Sequence, residues 1–299
     1  MKTRKLLKWV GIGLGSLVGL LGLALVVFYL IGQSRLSKTY NVPVKAITIT
    51  NDDQAVQRGE HLATAVLLCM RCHGENLGGQ VYFDAPGLLI IPSPNLTSGK
   101  GGIGQVYNDE DWLRAIRHGV AKNGRGLFFM PTPAFQAHNE RDIAALIAYL
   151  KQLPPVDNEL PERSFEPIAS VMMGLGGLPP AGAELADHSA PFGTVALGAT
   201  AEYGKVLTAT CSECHGEQFT GMLFGPPGQQ YMTPNLTPGG ELAAWTEWDF
   251  VNTLRTGVTP AGRPLNDDMP WKDYGKMTDE ELQAVWMYLK SLPALKTGE

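Results

Sequence analysis

Val10 to Ile31, VGIGLGSLVGLLGLALVVFYLI, is an uncharged, mostly apolar run of 22 residues. As a helix it is long enough to cross a hydrocarbon core of roughly 30 Å. Lys2, Arg4, Lys5 and Lys8 precede it, and Trp9 and Tyr29 stand near its ends, where interfacial aromatics gather. A cleaved secretory signal has a shorter apolar region and an A-x-A-like site. Here Gly32-Gln33-Ser34-Arg35 follows instead, so residues 1–32 are expected to form an uncleaved anchor and residues 33–49 a juxtamembrane segment. Gly11, Gly15 and Gly19 recur every fourth residue, a spacing that admits a partner helix. Ordinary glycine enrichment in membrane helices is the plainer alternative.

Beyond the span the pattern becomes that of amphipathic helices, and it comes twice. Asn108-Asp109-Glu110-Asp111-Trp112 and Thr246-Glu247-Trp248-Asp249-Phe250 each open on a capping residue with an acid three places on. Each segment then reaches Arg-x-Gly-Val, at Arg117 to Val120 and Arg255 to Val258. The last helices read DIAALIAYLKQLP, Asp142 to Pro154, and EELQAVWMYLKSLP, Glu280 to Pro293, both stopped by proline. The pattern predicts a mainly α chain with two units, residues 50–155 and 199–299. Each has a helix at its start, middle and end, with long glycine-rich loops between. Strand signals are sparse. Residues 156–198 are rich in proline and glycine and read as a linker with little regular structure. Its apolar stretch, Ile168 to Leu178, has the alternative of packing in the groove between the units.

Charge is uneven. Residues 1–49 hold seven Lys/Arg and no acids, whereas residues 199–299 hold seven basic and thirteen acidic residues. The basic residues ahead of the span favour a cytoplasmic N-terminus. The acidic distal half would suit a partner with a basic docking face; solubility alone is the plainer reading.

All four cysteines fall in two Cys-x-x-Cys-His motifs, Cys69-Met70-Arg71-Cys72-His73 and Cys211-Ser212-Glu213-Cys214-His215. One chance match has odds of roughly one in a thousand at this composition. The spacing is that of c-type haem attachment: two thiols to join the vinyl groups, then an imidazole to reach the iron. A disulfide does not call for the histidine. A four-cysteine zinc site would draw on both pairs at once, although they head separate repeats. The expectation is two covalent haem c groups, held by Cys69 and Cys72 and by Cys211 and Cys214, with His73 and His215 as axial ligands to iron. Met130 follows His73 by 57 residues and Met269 follows His215 by 54, and each precedes a proline at the same place in the repeat. No other methionine recurs with its context, so Met130 and Met269 are the expected second axial ligands. Asn95 and Asn235, in repeated Pro-Asn-Leu-Thr loops, and Arg117 and Arg255 are possible haem-pocket contacts. The alternatives for them are a turn residue and a helix C-terminal cation.

From about residue 50 to 296 this ordering resembles class I cytochrome c domains in tandem behind a membrane anchor. The resemblance implies a crossing of first and last helices at Gly59 and Gly204, with Tyr149 and Tyr288 beside them. It implies two cytochrome c-like domains, each wrapped around its haem, facing the periplasm from a single-pass cytoplasmic-membrane anchor. The expected function is single-electron transfer between extracytoplasmic redox proteins, with no catalytic residues and no nucleic-acid partner. The chain is also similar to the cytochrome subunits of membrane-bound alcohol and gluconate dehydrogenases. Those carry three haem domains against two here, and they imply the alternative of a subunit in a larger dehydrogenase or oxidase complex. A dihaem peroxidase, the other alternative, needs an iron open on its distal side.

Overall fold

The computed structural model describes residues 2–225 and 228–298, and side chains from Arg4 onward. Helix α1 (Lys2–Leu36) is unbroken and contains the whole apolar run. Its surface is bare through most of the span, up to the half-buried Phe28 and Tyr29, and nothing lies within 4 Å of a Cβ placed on Gly11, Gly15 or Gly19.

The first unit begins with α2 (Asp53–His61), whose N-terminus is capped by Asp52 accepting from the Ala55 N–H at 2.8 Å. The short α3 (Cys69–His73) carries the first motif. A hairpin follows, β1 (Gln80–Ala85) and β2 (Leu89–Ser93), then α4 (Asp109–His118), α5 (Thr132–Gln136) and α6 (Glu140–Leu150). After the linker come α9 (Ala201–Leu207), α10 (Ser212–His215), the strand pair β4 (Leu223–Phe224) and β5 (Tyr231–Met232), α11 (Glu247–Thr256), α12 (Trp271–Tyr274) and α13 (Asp279–Ser291). The acid three places after each middle cap closes a capping box, Asn108 with Asp111 and Thr246 with Asp249. Gly119 and Gly257 end those helices in the left-handed region, at φ 61° and 73°.

First and last helices cross in both units, α2 on α6 and α9 on α13. Glycine sits at each crossing for a steric reason. A Cβ on Gly59 would stand 2.0 Å from the Ala145 carbonyl oxygen and 2.7 Å from Tyr149 Cβ. On Gly204 it would stand 1.9 Å from Ala284 O and 2.8 Å from Tyr288 Cβ. One hydrophobic core runs through both crossings, from Leu62 and Ile143 to Leu282 and Leu289.

The units are joined by buried charge. Arg58 on α2 binds Asp142 at 2.9 Å and reaches Glu281 on α13, also at 2.9 Å, and its remaining nitrogen donates to the Tyr203 hydroxyl at 2.9 Å. His61 meets the other Glu281 oxygen at 2.6 Å. Burial raises the Glu281 carboxyl, but the hydrogen bond and charge of His61 and then the bond from Arg58 outweigh it, holding the group at about 2.

The linker departs from its expectation. It forms β3 (Ser164–Phe165), which extends the hairpin into a three-stranded sheet, then α7 (Pro167–Gly174) and α8 (Gly182–Leu185). β2 offered an open edge, and the apolar run after Pro167 gained a surface to cover. That surface is the end of α1 and not the groove between the units.

Candidate functional site

Each Cys-x-x-Cys-His motif is a single helical turn that opens onto a cavity of about 1150 Å³ lined by residues of both units. The four thiols are unpaired. Desolvation in these apolar surroundings pushes Cys69 and Cys211 up to about 12, so both are neutral thiols before any group is attached. Among the described residues no group of three or more His, Cys, Asp or Glu is arranged to hold a metal ion. Cys69, Cys72 and His73 share this one cavity with Cys211, Cys214 and His215, and Tyr82 of β1 lies on the same wall.

The histidines are fixed in the same way in both copies. His73 Nδ1 donates to the Pro94 carbonyl at 2.8 Å, and His215 Nδ1 donates to the Pro234 carbonyl at 2.8 Å. That bond sets the tautomer and leaves the Nε2 lone pair available. Burial lowers the pKa of both rings, favouring the neutral form that binds metal. The sequence signal for this anchor is the proline that opens each Pro-Asn-Leu-Thr loop, Pro94 and Pro234.

Met130 and Met269 both line the cavity, half-buried. Their loops have the same shape: each methionine carbonyl accepts from the residue two places on, Thr132 N–H and Trp271 N–H, both at 2.8 Å. Pro131 and Pro270 between them cap α5 and α12 with nearly equal dihedrals, φ −78° and −79°. Met232 and Met277 also line the cavity in the second unit, without methionine counterparts in the first. Met173 is buried elsewhere, under α1, at 1 % exposure.

Two buried donors on the cavity wall have no hydrogen-bond partner, Trp112 Nε1 and Thr253 Oγ1. With the apolar walls, two free thiols in each motif and the neutral imidazoles, they fit a flat apolar macrocycle with acidic edge groups.

The asparagine and arginine expectations come out differently. Asn95 Oδ1 accepts from Thr97 N–H at 2.9 Å, and its Nδ2 donates to Val156 O at 2.7 Å. Asn235 does the same with Thr237 N–H at 2.8 Å and Leu295 O at 2.9 Å. Their polar atoms therefore clamp the chain that follows each last helix. Asn235 still lines the cavity, and Asn95 does not. Arg117 and Arg255 stand away from it. Arg117 donates to Ala190 O at 2.9 Å and stacks on Phe192 at 3.9 Å; Arg255 pairs with Asp279 at 2.7 Å. The arginines on the cavity wall are instead Arg71, inside the first motif, Arg163, from the linker, and Arg263, in the loop before Met269. Arg263 stands eight residues after Arg255 as Arg125 does after Arg117, so the repeat carried a signal for that position, whereas Arg163 lies in the linker outside the repeat.

The comparisons agree with this geometry. Residues 56–154 match the family described as cytochrome c, and residues 198–289 match cytochrome c oxidase, cbb3-type, subunit III. The chain thus carries two cytochrome c domains in tandem, and two such domains call for two haem c groups. It is 29% identical over 279 residues to the cytochrome c subunit of alcohol dehydrogenase (quinone) from Gluconobacter oxydans, covering 83% of this chain and 57% of that one. It is 28% identical over 274 residues to the fructose dehydrogenase cytochrome subunit of Gluconobacter japonicus, covering 80% of this chain and 53% of that one. A dihaem cytochrome c-type protein of Cereibacter sphaeroides is 27% identical over 241 residues, covering 73% of this chain and 76% of its own. The chain therefore spans little more than half the length of the two dehydrogenase subunits.

Proposed function

We propose that the protein is a membrane-anchored dihaem cytochrome c that moves single electrons between redox proteins outside the cytoplasm. Cys69 and Cys72 would attach one haem and Cys211 and Cys214 the other. His73 with Met130, and His215 with Met269, would complete the two iron coordination shells. The observation that carries this reading is the doubled arrangement of a proline-anchored neutral imidazole and a half-buried Met-Pro loop on one cavity wall. Bound haem supplies a one-electron iron couple whose potential thioether ligation raises. The chain's own residues do the rest. Pro94 and Pro234 orient the imidazoles, the Met-Pro loops would supply the second axial ligands, and Trp112 and Thr253 would offer donors to the haem's acidic groups. The apolar walls keep water out and limit reorganisation on electron transfer.

Met130 and Met269 on the cavity wall, each available to fill a sixth coordination position, would favour a carrier over a dihaem peroxidase. Membership of a dehydrogenase complex is the finer reading, supported by the relatives' names and by the open glycine face of α1 at Gly11, Gly15 and Gly19. The anchor reading rests on the 33 residues Arg4–Leu36, with a mean hydropathy of 2.5 over their most apolar stretch. The basic start supports a cytoplasmic N-terminus. The deciding experiment is a ferric spectrum of the purified full chain. Two low-spin haems with the weak long-wavelength band of thioether-ligated iron are expected. A high-spin component in the untreated protein would overturn the carrier reading in favour of an enzyme.

A further inference from the structure

The linker returns to the anchor. Helix α7 runs antiparallel to the end of α1 with backbones nearly touching, Gly32 against Ser170 and Gly174 against Phe28. A Cβ on Gly32 would lie 1.8 Å from Ser170 O, and one on Gly174 would lie 2.0 Å from Phe28 O. Polar bonds fix the pair from above. Gln33 Nε2 donates to Ser170 Oγ at 2.7 Å, and Arg35 Nη1 donates to the Met173 carbonyl at 3.2 Å.

This contact sets the depth of α7. Ile31 is the last residue of the apolar run, so Phe28 lies inside it. At about 1.5 Å per residue, Phe28 is about 6 Å further into the span than Gly32. Gly174 shares that level, and the turn from Leu175 to Gly177 follows it. The chain has no charged residue from Pro167 to Ala183, which suits such a place. Leu175 is 59% exposed, an apolar side chain facing outward beside an apolar helix.

We propose that α7 and the turn after it lie in the interfacial layer of the membrane, with Leu175 in contact with lipid. The linker is then a second, non-spanning membrane contact that limits rotation of the haem domains about the anchor. This rests on the reading of α1 as a membrane span. Lipid is the occupant because the face continues the bare surface of α1 at the same depth.

The test uses the full haem-loaded chain in liposomes of pure phospholipid. Once the four native cysteines carry haem, an introduced thiol is the reactive one. Nitroxide labels go on Leu175→Cys, on Leu25→Cys in the span, and on Trp248→Cys in the second unit, where the side chain is 70% exposed. Accessibility to oxygen and to a water-soluble nickel complex is then read by electron paramagnetic resonance. The expected result is that the Leu175 label resembles the Leu25 label, reached by oxygen and shielded from nickel. Adding Gly32→Leu should part α7 from α1 and return the Leu175 label to nickel, leaving the Leu25 label shielded. A Leu175 label as open to nickel as the Trp248 label, with Leu25 still shielded, overturns the proposal and leaves that face to a protein partner. A Leu25 label open to nickel overturns the anchor reading itself.

Discussion

The helix crossings at Gly59 and Gly204 give a test in which two effects have opposite signs. Replacing glycine by alanine inside an exposed helix stabilises it by about 0.5–1 kcal/mol. Here the new methyl would meet a backbone carbonyl at 2.0 Å in one unit and 1.9 Å in the other. Ordinary contact begins at 3.4 Å, so the helices would have to part by 1.4 and 1.5 Å. Backbone cannot rotate aside as a side chain can, and overpacking of this kind costs roughly 1–3 kcal/mol or more. Steric cost therefore wins over helix propensity. For units of about 100 residues, each kcal/mol moves the thermal midpoint by roughly 4–8 °C. Gly59→Ala and Gly204→Ala should each lower the midpoint followed by circular dichroism, by roughly 4–8 °C for each kcal/mol by which the steric cost exceeds the propensity gain. An unchanged or raised midpoint in either variant would refute the close crossing in that unit.

Other outcomes follow from the site. Cys72→Ser and Cys214→Ser should each leave one covalent haem where the parent has two, read as intact mass; loss of both from one substitution would sink the independence of the sites. Met130→Ala and Met269→Ala should each open one iron to carbon monoxide, while Met172→Ala, in α7, leaves the spectrum unchanged. Because the Glu281 carboxyl is held below its ordinary value of 4.5, its contribution to stability is present above that value. It is lost as pH falls through about 2, and Glu281→Gln should flatten that part of the thermal midpoint's pH profile.

The sequence made the cofactor chemistry legible because attachment needs fixed residue types at fixed spacing. It made the helices legible because capping acids, glycine stops and proline stops are local. Two kinds of feature escaped it. The Pro94 and Pro234 carbonyls act through backbone, which side-chain chemistry does not reveal. The asparagines beside them were read as candidate donors to haem, but their carbonyl partners, Val156 and Leu295, lie about 60 residues away. The linker escaped for another reason. Its glycines and prolines read as breakers, yet Gly174 permits a close helix contact and Pro167 is the first residue of α7.

Repetition also explains the surface that joins the two units. Asp142 and Glu281 occupy the same place, the third residue of each last helix. Arg58 and Tyr203 likewise each precede the crossing glycine. The network between the units is therefore built from matching positions of the two copies, meeting face to face. Arg58 serves its own Asp142 and the other unit's Glu281 with one guanidinium, and Tyr203 completes the set. A charge buried this way is costly when a partner is removed, because the remaining carboxylates are left without compensation. The arrangement holds the two Cys-x-x-Cys-His turns on a common cavity at a fixed separation. In the dihaem carrier proposed above, such a joint between the units would hold the two haems at one separation, on which the rate of any transfer between them would depend.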